Sequence, residues 1–356
     1  MAASADDTIP VRPDEALDVE ALHAFLVAEG LDGVAEAPPT VRQFGGGHAN
    51  LTYELTYDDA VFVLRRPPLG PVPEGAHDMA REFTVLRKLH PSFALAPQAF
   101  LYCDDPSVIG APFFLMERRY GTVIRTTWPD ALGTADAQAP AAAHTLVDTL
   151  ARFHAVNYEA IGLGNLGRPD GFIERQIAGW WDRWTAARPE RLSAMAATHA
   201  WLKAHVPTAP AHTLVHNDYK LDNLMLAAGD AHTPVAVLDW DMCTLGDPLS
   251  DLGALLAYWV TPDDPDAMQQ FATMPVHPAF PTRPQLVERY AAAAEHDVSD
   301  VRFYHALGLF RLTVIVAQIY ARYARGQTQD ERFAALRPMI GTVAERAHDV
   351  ATGHWE

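Results

Sequence analysis

The sequence predicts an α+β protein with a small β-rich N-terminal lobe, residues 1–117, and a larger, mostly helical C-terminal lobe, residues 118–356. In the first lobe, residues 41–68 alternate apolar and polar side chains around a glycine cluster and an Asp-Asp turn, which is typical of a hairpin. In the second lobe, apolar residues recur at helical spacing. Two short apolar segments, 213–215 and 234–238, interrupt the helices and are predicted to be buried strands.

Further elements follow from the same patterns. Residues 81–89 carry apolar side chains at helical spacing, and the apolar segment 111–121 is predicted to hold the last strand of the small lobe. The apolar stretch 307–320 is interrupted by Arg311 and is too short to span a bilayer, so we expect a core helix. Two core-facing helices are indicated by the sets Leu146, Leu150, Phe153 and Ile173, Ile177, Trp180, Trp181, Trp184.

The composition excludes several classes of protein. Acidic residues outnumber basic ones by 45 to 27, which gives a formal charge of −18 and disfavours nucleic acids and anionic membranes as partners. Two cysteines cannot form a disulfide framework. The N-terminal segment MAASADDTIPVRPDE has neither the basic nor the apolar region of a signal peptide. We therefore expect a cytoplasmic protein.

A dense polar motif follows the first of the two short strands. HNDYKLDNLML, residues 216–226, places Asp218 and Asn223 on one short loop, and the second strand ends in VLDWD at Asp239. Transfer of a phosphoryl group needs a residue that receives the proton of the acceptor hydroxyl, and it needs oxygen ligands for Mg²⁺. Asp218 suits the first role, and the oxygens of Asn223 and Asp239 suit the second.

These segments resemble the catalytic segments of the aminoglycoside phosphotransferase and choline kinase superfamily, which are relatives of the protein kinases. The order of the other motifs is similar too: a glycine loop, a basic strand residue, a helix glutamate and a hinge precede them. AHDMAREFTVL, RQIAGWWDRW and LGDPLSDLG resemble the subgroup that is also found fused to acyl-CoA dehydrogenases. The resemblance covers most of the chain and implies a protein-kinase-like two-lobed fold.

The resemblance also implies roles for the residues of the polar loop. Asp218 would orient and deprotonate the acceptor hydroxyl, and Asn223 and Asp239 would hold Mg²⁺. Lys220 would lie near the transferred phosphate, with an ordinary surface lysine as the alternative. His216 would be a scaffold residue that holds the loop, not a base.

ATP is the co-substrate that the resemblance implies, bound by the N-terminal lobe. A glycine loop lets the backbone approach a polyanion, although a plain hairpin turn is the alternative. Strand alternation places Arg65 and Arg66 on opposite faces, and it favours Arg65 as the phosphate-binding residue. Its expected partner is Glu82 on the following helix. The residues expected to hold ATP are Gly45, Gly46, Gly47, Asn50, Arg65, Glu82, Met116, Glu117 and Arg118.

Three further acids follow the second strand. Asp241 is expected to assist the metal or face the acceptor, with helix capping as the alternative. Asp247 and Asp251 are expected to begin a helix, with Asp247 as the cap before Pro248. The histidines show no metal-ligand spacing, which disfavours zinc.

The acceptor is expected to be a small molecule with a hydroxyl group. The subgroup resemblance implies a hydroxyacyl compound, whereas the negative charge of the chain would suit a cationic aminoglycoside. Arg175, Arg183 and Arg311 are candidates for binding an acid or CoA end, and ordinary salt bridging is the alternative for each. Two other functions stay open: an aminoglycoside or macrolide antibiotic kinase, and a nucleotide-binding pseudokinase. The complete set of catalytic and metal-binding residues argues against the pseudokinase.

Overall fold

A computed structural model of the chain describes residues 7–45, 50–70, 77–187, 191–327 and 331–354. The chain forms two compact units. The first comprises Met1–Gly121 and Val235–Asp241, and the second comprises Thr122–Pro234 and Met242–Glu356. The sequence predicted one boundary, after residue 117. The prediction did not include Val235–Asp241 in the first unit. The ligand-binding roles assigned to the two lobes stay predictions.

The first unit contains a six-stranded sheet with the order β1-β2-β3-β4-β6-β5. Neighbouring strands of this sheet pair antiparallel, and their register places Thr52 opposite Arg65 and Val63 opposite Met116. The predicted hairpin is confirmed, since β3 pairs with β4 across the Asp-Asp turn, and β2 adds a further antiparallel pair with β3. The strands are β1 (Thr8–Ile9), β2 (Thr40–Phe44), β3 (Leu51–Thr56), β4 (Val61–Arg66), β5 (Ala99–Cys103) and β6 (Phe113–Glu117).

Helix α2 buries one charged side chain, Glu82, on the face that packs against the core. The Asp78 carboxylate accepts a hydrogen bond from the Arg81 amide at 3.0 Å and begins the helix. Glu82 is 2% exposed and lies among apolar neighbours such as Met79 and Val85. A carboxylate at such a position requires a charged partner. The helices of this unit are α1 (Val19–Ala28), α2 (Met79–Leu89) and α3 (Pro106–Ile109).

The second unit is mostly helical, as the sequence predicts. Its helices are α4 (Ala135–His154), α5 (Phe172–Ala187), α6 (Ser193–Ala204), α7 (Leu249–Tyr258), α8 (Asp266–Gln270), α9 (Arg283–Ala294), α10 (Val301–Ala324) and α11 (Leu336–Thr352). Its short strands are β7 (Thr122–Val123), β8 (Thr213–Val215), β9 (Leu224–Ala227), β10 (Asp230–Val237) and β11 (Thr244–Gly246), and β10 continues into the first unit. Strand β8 pairs antiparallel with β11, and β9 pairs antiparallel with β7. The α+β class is confirmed.

Helix α10 is longer than the apolar stretch 307–320 suggested. With 24 residues it is the one helix in the described part of the chain that is long and apolar enough to cross a membrane. However, 78% of its most apolar window is buried inside the protein, which confirms the predicted core helix.

Helices α7 and α10 approach closely at a pair of glycines. A Cβ atom on Gly253 would lie 2.2 Å from the carbonyl oxygen of Tyr304. A Cβ atom on Gly308 would lie 2.3 Å from the carbonyl oxygen of Gly253. Any larger residue at either position must therefore push the two helices apart.

We expect Gly253→Ala to destabilise the protein by about 1–3 kcal/mol, because the added methyl group overpacks this crossing. The measurement is denaturant unfolding followed by circular dichroism. Gly341→Ala in α11 is the matched control, since nothing lies within 4 Å of the added Cβ. In the control, alanine should raise helix stability by a few tenths of a kcal/mol to about 1 kcal/mol. Equal unfolding midpoints for the two variants would contradict the tight crossing.

Candidate active site

The polar motif forms a loop between β8 and β9 in the second unit. Strand β8 ends at Val215, and a single turn of 3₁₀ helix, Leu221–Asn223, leads into β9. Asn217 has a φ of 63°, in the left-handed region that asparagine tolerates better than most residues. The turn at Asn217 directs the chain away from the strand just before Asp218. The loop is therefore held in a less common backbone conformation.

A buried carboxylate on α7 holds this conformation. Asp251 is 0% exposed, and it accepts hydrogen bonds from the backbone amides of His216 at 2.6 Å and Asn217 at 2.7 Å. The ring of His154 lies 3.2 Å from the same carboxylate and 2.6 Å from the Tyr290 hydroxyl. Burial acts to raise the pKa of Asp251, but the hydrogen bonds and the charge of His154 outweigh it and lower that pKa.

The contacts of Asp251 and His154 that hold this loop were missed by the sequence reasoning. Asp251 was expected only to begin a helix, and its bonds instead reach a loop more than 30 residues earlier in the chain. The available signal was an acid within the apolar helix LSDLGALLAY. The predicted scaffold role of His216 agrees with its complete burial and with the 3.3 Å bond from the Asp218 amide to its Nδ1 atom. Asp247 accepts from the Leu249 amide at 3.0 Å, as predicted for a cap before Pro248.

The side chain of Asp218 is oriented by two neighbours on its own loop. Its Oδ2 atom accepts a hydrogen bond from Lys220 Nζ and another, at 3.0 Å, from Asn223 Nδ2. Asn223 Nδ2 also donates to the Asp218 carbonyl oxygen at 2.8 Å. Asp218 Oδ1 and Asn223 Oδ1 make no hydrogen bond to the described residues, so both oxygens are available to a ligand.

Lys220 lies between two carboxylates. Besides its bond to Asp218, its Nζ atom is 3.8 Å from Asp222 and 5.6 Å from the centre of the Tyr258 ring. Burial disfavours the ammonium group, but Asp218 and Asp222 outweigh it and raise the pKa of Lys220. Burial also raises the pKa of Asp222, and Lys220 opposes that shift. The loop therefore presents a firmly charged lysine next to Asp218.

The first unit contains a second charged cluster, centred on Arg65. Its Nε atom is 3.0 Å from Glu82, so the predicted ion pair is present, and its Nη2 atom is 2.6 Å from Asp239. Asn50 completes the cluster: its carboxamide oxygen accepts from Arg65 Nη2 at 2.8 Å, and its nitrogen donates to His77 Nδ1 at 2.7 Å. The Arg65 guanidinium thus contacts Glu82 on α2, Asp239 after β10 and Asn50 before β3.

The charges in this cluster strongly influence one another. Burial raises the pKa of Glu82 to about 7, and Arg65 acts against that shift. Burial also opposes the charge of Arg65, but Glu82 and Asp239 outweigh it and raise the pKa of Arg65, with a smaller contribution from Asp241. Asp239 has a φ of 67°, which is uncommon for a residue other than glycine, asparagine or aspartate. Its side chain is 35% exposed, so the carboxylate is open to solvent ligands.

The other residues that are predicted to bind the nucleotide lie in several different parts of the first unit. Gly45 lies in the turn after β2, whereas Gly46 and Gly47 lie outside the described residues. Arg66 is buried and donates to the Ile109 carbonyl at 2.8 Å, away from the Arg65 cluster. Met116 and Glu117 end β6, and Glu117 is 2.8 Å from Arg119.

The side chain of Arg118 is occupied by acids within its own unit. Its guanidinium lies 2.7 Å from Glu54 and 2.6 Å from Asp7, and it also lies over the rings of Phe44 and Tyr120. Any contact of Arg118 with a nucleotide would therefore involve its backbone. The role assigned to this residue stays a prediction.

The donor atoms available for a cation are oxygens. In the described ranges, no group of three or more His, Cys, Asp or Glu side chains forms a metal cluster. Asn223 and Asp239 offer a carboxamide oxygen and a carboxylate, which match the preference of Mg²⁺ for oxygen ligands bound together with phosphates and water. The chemistry of this donor set fits the ion.

Comparisons with known proteins identify the class of fold and then the family. A solved structure from Ralstonia eutropha, provisionally named an aminoglycoside phosphotransferase, has a TM-score of 0.80 and 29% identity, over 95% of this chain and 99% of that one. The aminoglycoside phosphotransferase APH(4)-Ia, solved with AMP-PNP and hygromycin B, has a TM-score of 0.59 and 14% identity, over 94% of this chain and 99% of that one. The protein-kinase-like fold is thereby confirmed. The sequence profile of the phosphotransferase enzyme family matches residues 40–304, and the chain belongs to this family.

The chain also resembles one part of larger proteins. Acyl-CoA dehydrogenase family member 10 of Mus musculus is 31% identical over 97% of this chain and 32% of its own length. Acyl-CoA dehydrogenase family member 11 of Rattus norvegicus is 30% identical over 91% of this chain and 42% of its own length. The chain therefore spans less than half of these relatives. The predicted resemblance to the fused subgroup is confirmed.

We expect Asp251→Asn to release the loop that carries Asp218, because an amide cannot accept both backbone hydrogen bonds and also pair with His154. Losing charge-assisted bonds of this kind costs about 1.5–3 kcal/mol each. The measurement is hydrogen exchange by mass spectrometry, which should show faster exchange in peptides that contain His216 and Asn217.

Asp247→Asn is the matched control for this prediction. Asp247 is also a buried acid at the start of α7, but it bonds to the Leu249 amide and the Tyr304 hydroxyl instead of the loop. Its substitution should lower global stability without selectively exposing the loop. Unchanged protection of the His216 and Asn217 amides in Asp251→Asn would show that Asp251 does not hold the loop.

Proposed function

We propose that this protein transfers the γ-phosphoryl group of ATP, with Mg²⁺, to a hydroxyl group of a small molecule. The observation that carries the proposal is the arrangement around Asp218. One oxygen of its carboxylate is fixed by Lys220 and Asn223, and the other has no bond within the described residues. The side chain is 19% exposed, so the second oxygen can receive a hydroxyl group from a bound acceptor. Membership of the phosphotransferase family gives the reaction class.

The loop suits the step in which the acceptor hydroxyl attacks the phosphoryl group. Asp218 would hold the hydroxyl in line and take its proton as the new oxygen–phosphorus bond forms, and ADP would leave. Lys220 keeps its positive charge next to Asp218, and it would stabilise the negative charge on the transferred phosphoryl oxygens. Asn223 has two functions in this scheme: its nitrogen fixes Asp218, and its oxygen is available to the metal.

The Arg65 cluster suits binding of the nucleotide phosphates. Arg65 is oriented by Glu82, and its Nη1 atom makes none of the bonds within the cluster. A planar, permanently charged guanidinium is well suited to phosphate oxygens. Asp239 and Asn223 would each offer an oxygen ligand to Mg²⁺, which when bound would supply positive charge next to the phosphates. The AMP-PNP in the structure of the relative APH(4)-Ia supports ATP as the donor.

The relatives support a hydroxyacyl compound as the acceptor. The chain matches a segment of proteins named as acyl-CoA dehydrogenases, and a kinase fused to such an enzyme would act on related acyl compounds. An antibiotic acceptor is the alternative, since structural neighbours include a complex with hygromycin B and a macrolide 2'-phosphotransferase. These two neighbours are only 14% and 18% identical, so they support the fold more than the acceptor.

The test is an assay for phosphorylated products with the purified protein, Mg·ATP and three sets of acceptors. The sets are hydroxyacyl compounds, including 4-hydroxyacyl-CoA thioesters, aminoglycosides and macrolides, and choline. We expect a phosphomonoester from the first set, detected by mass spectrometry, and a matching amount of ADP. Phosphorylation of an antibiotic alone would show that the acceptor is an antibiotic and not a hydroxyacyl compound. Nucleotide binding without any product would favour a pseudokinase.

We expect Arg65→Ala to raise the KM for ATP or lower kcat at least tenfold, because it removes the guanidinium and leaves the buried Glu82 carboxylate unpaired. Arg66→Ala removes the neighbouring arginine on the opposite strand face, which is more buried than Arg65 and bonds to the Ile109 carbonyl. This control should lower stability with a smaller effect on the affinity for ATP. If Arg66→Ala loses more ATP affinity than Arg65→Ala, the assignment of Arg65 to the nucleotide-binding face of β4 is wrong.

We expect Asp239→Ala to abolish the effect of Mg²⁺ on nucleotide affinity, because it removes the carboxylate ligand of the metal. Calorimetric titration of AMP-PNP with and without Mg²⁺ measures this effect. Asp230→Ala is the control, because its carboxylate accepts from the His232 amide and the Thr233 hydroxyl at the start of β10; this variant should retain the Mg²⁺ effect. A full Mg²⁺ effect in Asp239→Ala would refute the assignment.

A further inference from the structure

Two arginines lie against one tryptophan in the second unit. The guanidinium carbon of Arg183 is 4.5 Å from the centre of the Trp180 ring, and that of Arg311 is 5.1 Å from it. Arg183 and Trp180 come from α5, and Arg311 comes from α10. A tryptophan face stabilises a nearby cation without neutralising its charge. Each of the two arginines therefore keeps a positive charge that can attract an anion.

In the part of the chain that the structure describes, no acid pairs with either arginine. No carboxylate there lies within 4.0 Å of the guanidinium of Arg183 or Arg311. The Nε atom of Arg311 is buried and makes no hydrogen bond to a described residue. This is unusual in a chain whose acids outnumber its bases by 45 to 27. An unsatisfied, buried guanidinium donor is costly unless a ligand occupies it.

A small pocket that includes Trp180 and Arg311 lies next to the catalytic loop, and Arg183 does not line it. Its walls combine the apolar surfaces of Trp180 and Leu307 with polar groups of Gln176 and Ser250. Arg311 lies in the same pocket and donates a hydrogen bond to the carbonyl oxygen of Asn217, the residue that precedes Asp218. We refer to this pocket as the Trp180 pocket, lined by Gln176, Trp180, Asn217, Ser250, Leu307 and Arg311.

The acid that follows Ser250 in the sequence does not pair with Arg311. Asp251 follows Ser250, but its carboxylate faces the amides of His216 and Asn217 and the ring of His154. The positive charge of the Trp180 pocket is therefore not cancelled by the carboxylate that anchors the loop.

We propose that the Trp180 pocket binds an anionic group of the acceptor, a carboxylate or a phosphate, through Arg311 with assistance from Arg183. This inference rests on the proposed phosphotransferase function and specifies its substrate: a hydroxyl compound with a negatively charged end. Because Arg311 also bonds to the Asn217 carbonyl, the anion and the loop that presents Asp218 share one guanidinium. The same charges repel the ammonium groups of aminoglycosides, so the pocket selects against cationic acceptors.

The third arginine suggested by the sequence is excluded from this site. Arg175 also lies on α5, but its guanidinium donates to the carbonyl oxygens of Arg168 and Asp170 in the turn before that helix. Arg175→Ala therefore removes the same charge from the same helix without changing the Trp180 pocket, which makes it the matched control.

The experiment measures binding of three probes by calorimetry, with the nucleotide site already saturated by Mg²⁺ and AMP-PNP. The probes are 4-hydroxybutyrate, inorganic phosphate and 1,4-butanediol, which differs from the first by having a second hydroxyl group in place of the carboxylate. We expect at least one anion to bind and 1,4-butanediol not to bind. Loss of a charge-assisted pair should weaken anion binding roughly tenfold or more in Arg311→Ala. Arg183→Ala should weaken it less, and Arg175→Ala should leave it unchanged.

The outcomes separate this inference from the proposed function. Binding of 4-hydroxybutyrate but not phosphate would identify a carboxylate site, and the reverse would identify a phosphate site. If neither anion binds, or if Arg311→Ala binds the anion as tightly as the wild type, the inference is wrong. If AMP-PNP itself fails to bind with Mg²⁺, the proposed function is the part that fails. Arg183→Ala guards against a folding defect, because that side chain is exposed and does not contact the loop.

Discussion

A single buried carboxylate fixes the loop on which the proposed chemistry depends. Asp251 accepts the amides of His216 and Asn217 at 2.6 and 2.7 Å, and no exposed surface remains on it. Breaking a buried, hydrogen-bonded charge of this kind costs about 3–5 kcal/mol, and this cost holds the loop in its observed conformation. The cost of burial is offset by the hydrogen bonds and by His154, which together lower the pKa of Asp251.

The consequence of this anchor is the presentation of Asp218. The peptide at Asn217 is held at both ends, with its amide bound by Asp251 and its carbonyl oxygen bound by Arg311. Its side chain donates to the Met242 carbonyl at 3.0 Å. With the preceding residue fixed, the Asp218 carboxylate needs only Lys220 and Asn223 to define its direction. Such preorganisation lets a charge act on a reacting group without reorganisation during the reaction.

The cluster around Arg65 uses the same principle in the first unit. Glu82 lies on the apolar face of α2, where a carboxylate is stable only next to a cation. Arg65 supplies that cation, and Glu82 in turn fixes the direction of the guanidinium. In both units, therefore, a buried acid without contact to solvent orients a partly exposed group that is available to a ligand.

The sequence predicted the contacts between elements that are close in the chain, and it missed the hydrogen bonds between distant segments. Strand alternation was sufficient to choose Arg65 over Arg66, and the resemblance to the kinase superfamily implied Glu82 as its partner. The bonds of Asp251 to the loop at Asn217 join segments whose separation no local pattern encodes. Local spacing likewise gave Trp180 as a core residue, but only the fold shows that two arginines from different helices lie on its ring.

The most direct test of the account is the comparison of turnover and nucleotide affinity in Asp218→Asn. Asparagine keeps the shape of the side chain but cannot take the proton of the acceptor hydroxyl. The account predicts that kcat falls by about 10²–10⁴, while the Kd for Mg·AMP-PNP changes little. Retention of more than about a tenth of the wild-type kcat would contradict the role of Asp218, and with it the proposed mechanism.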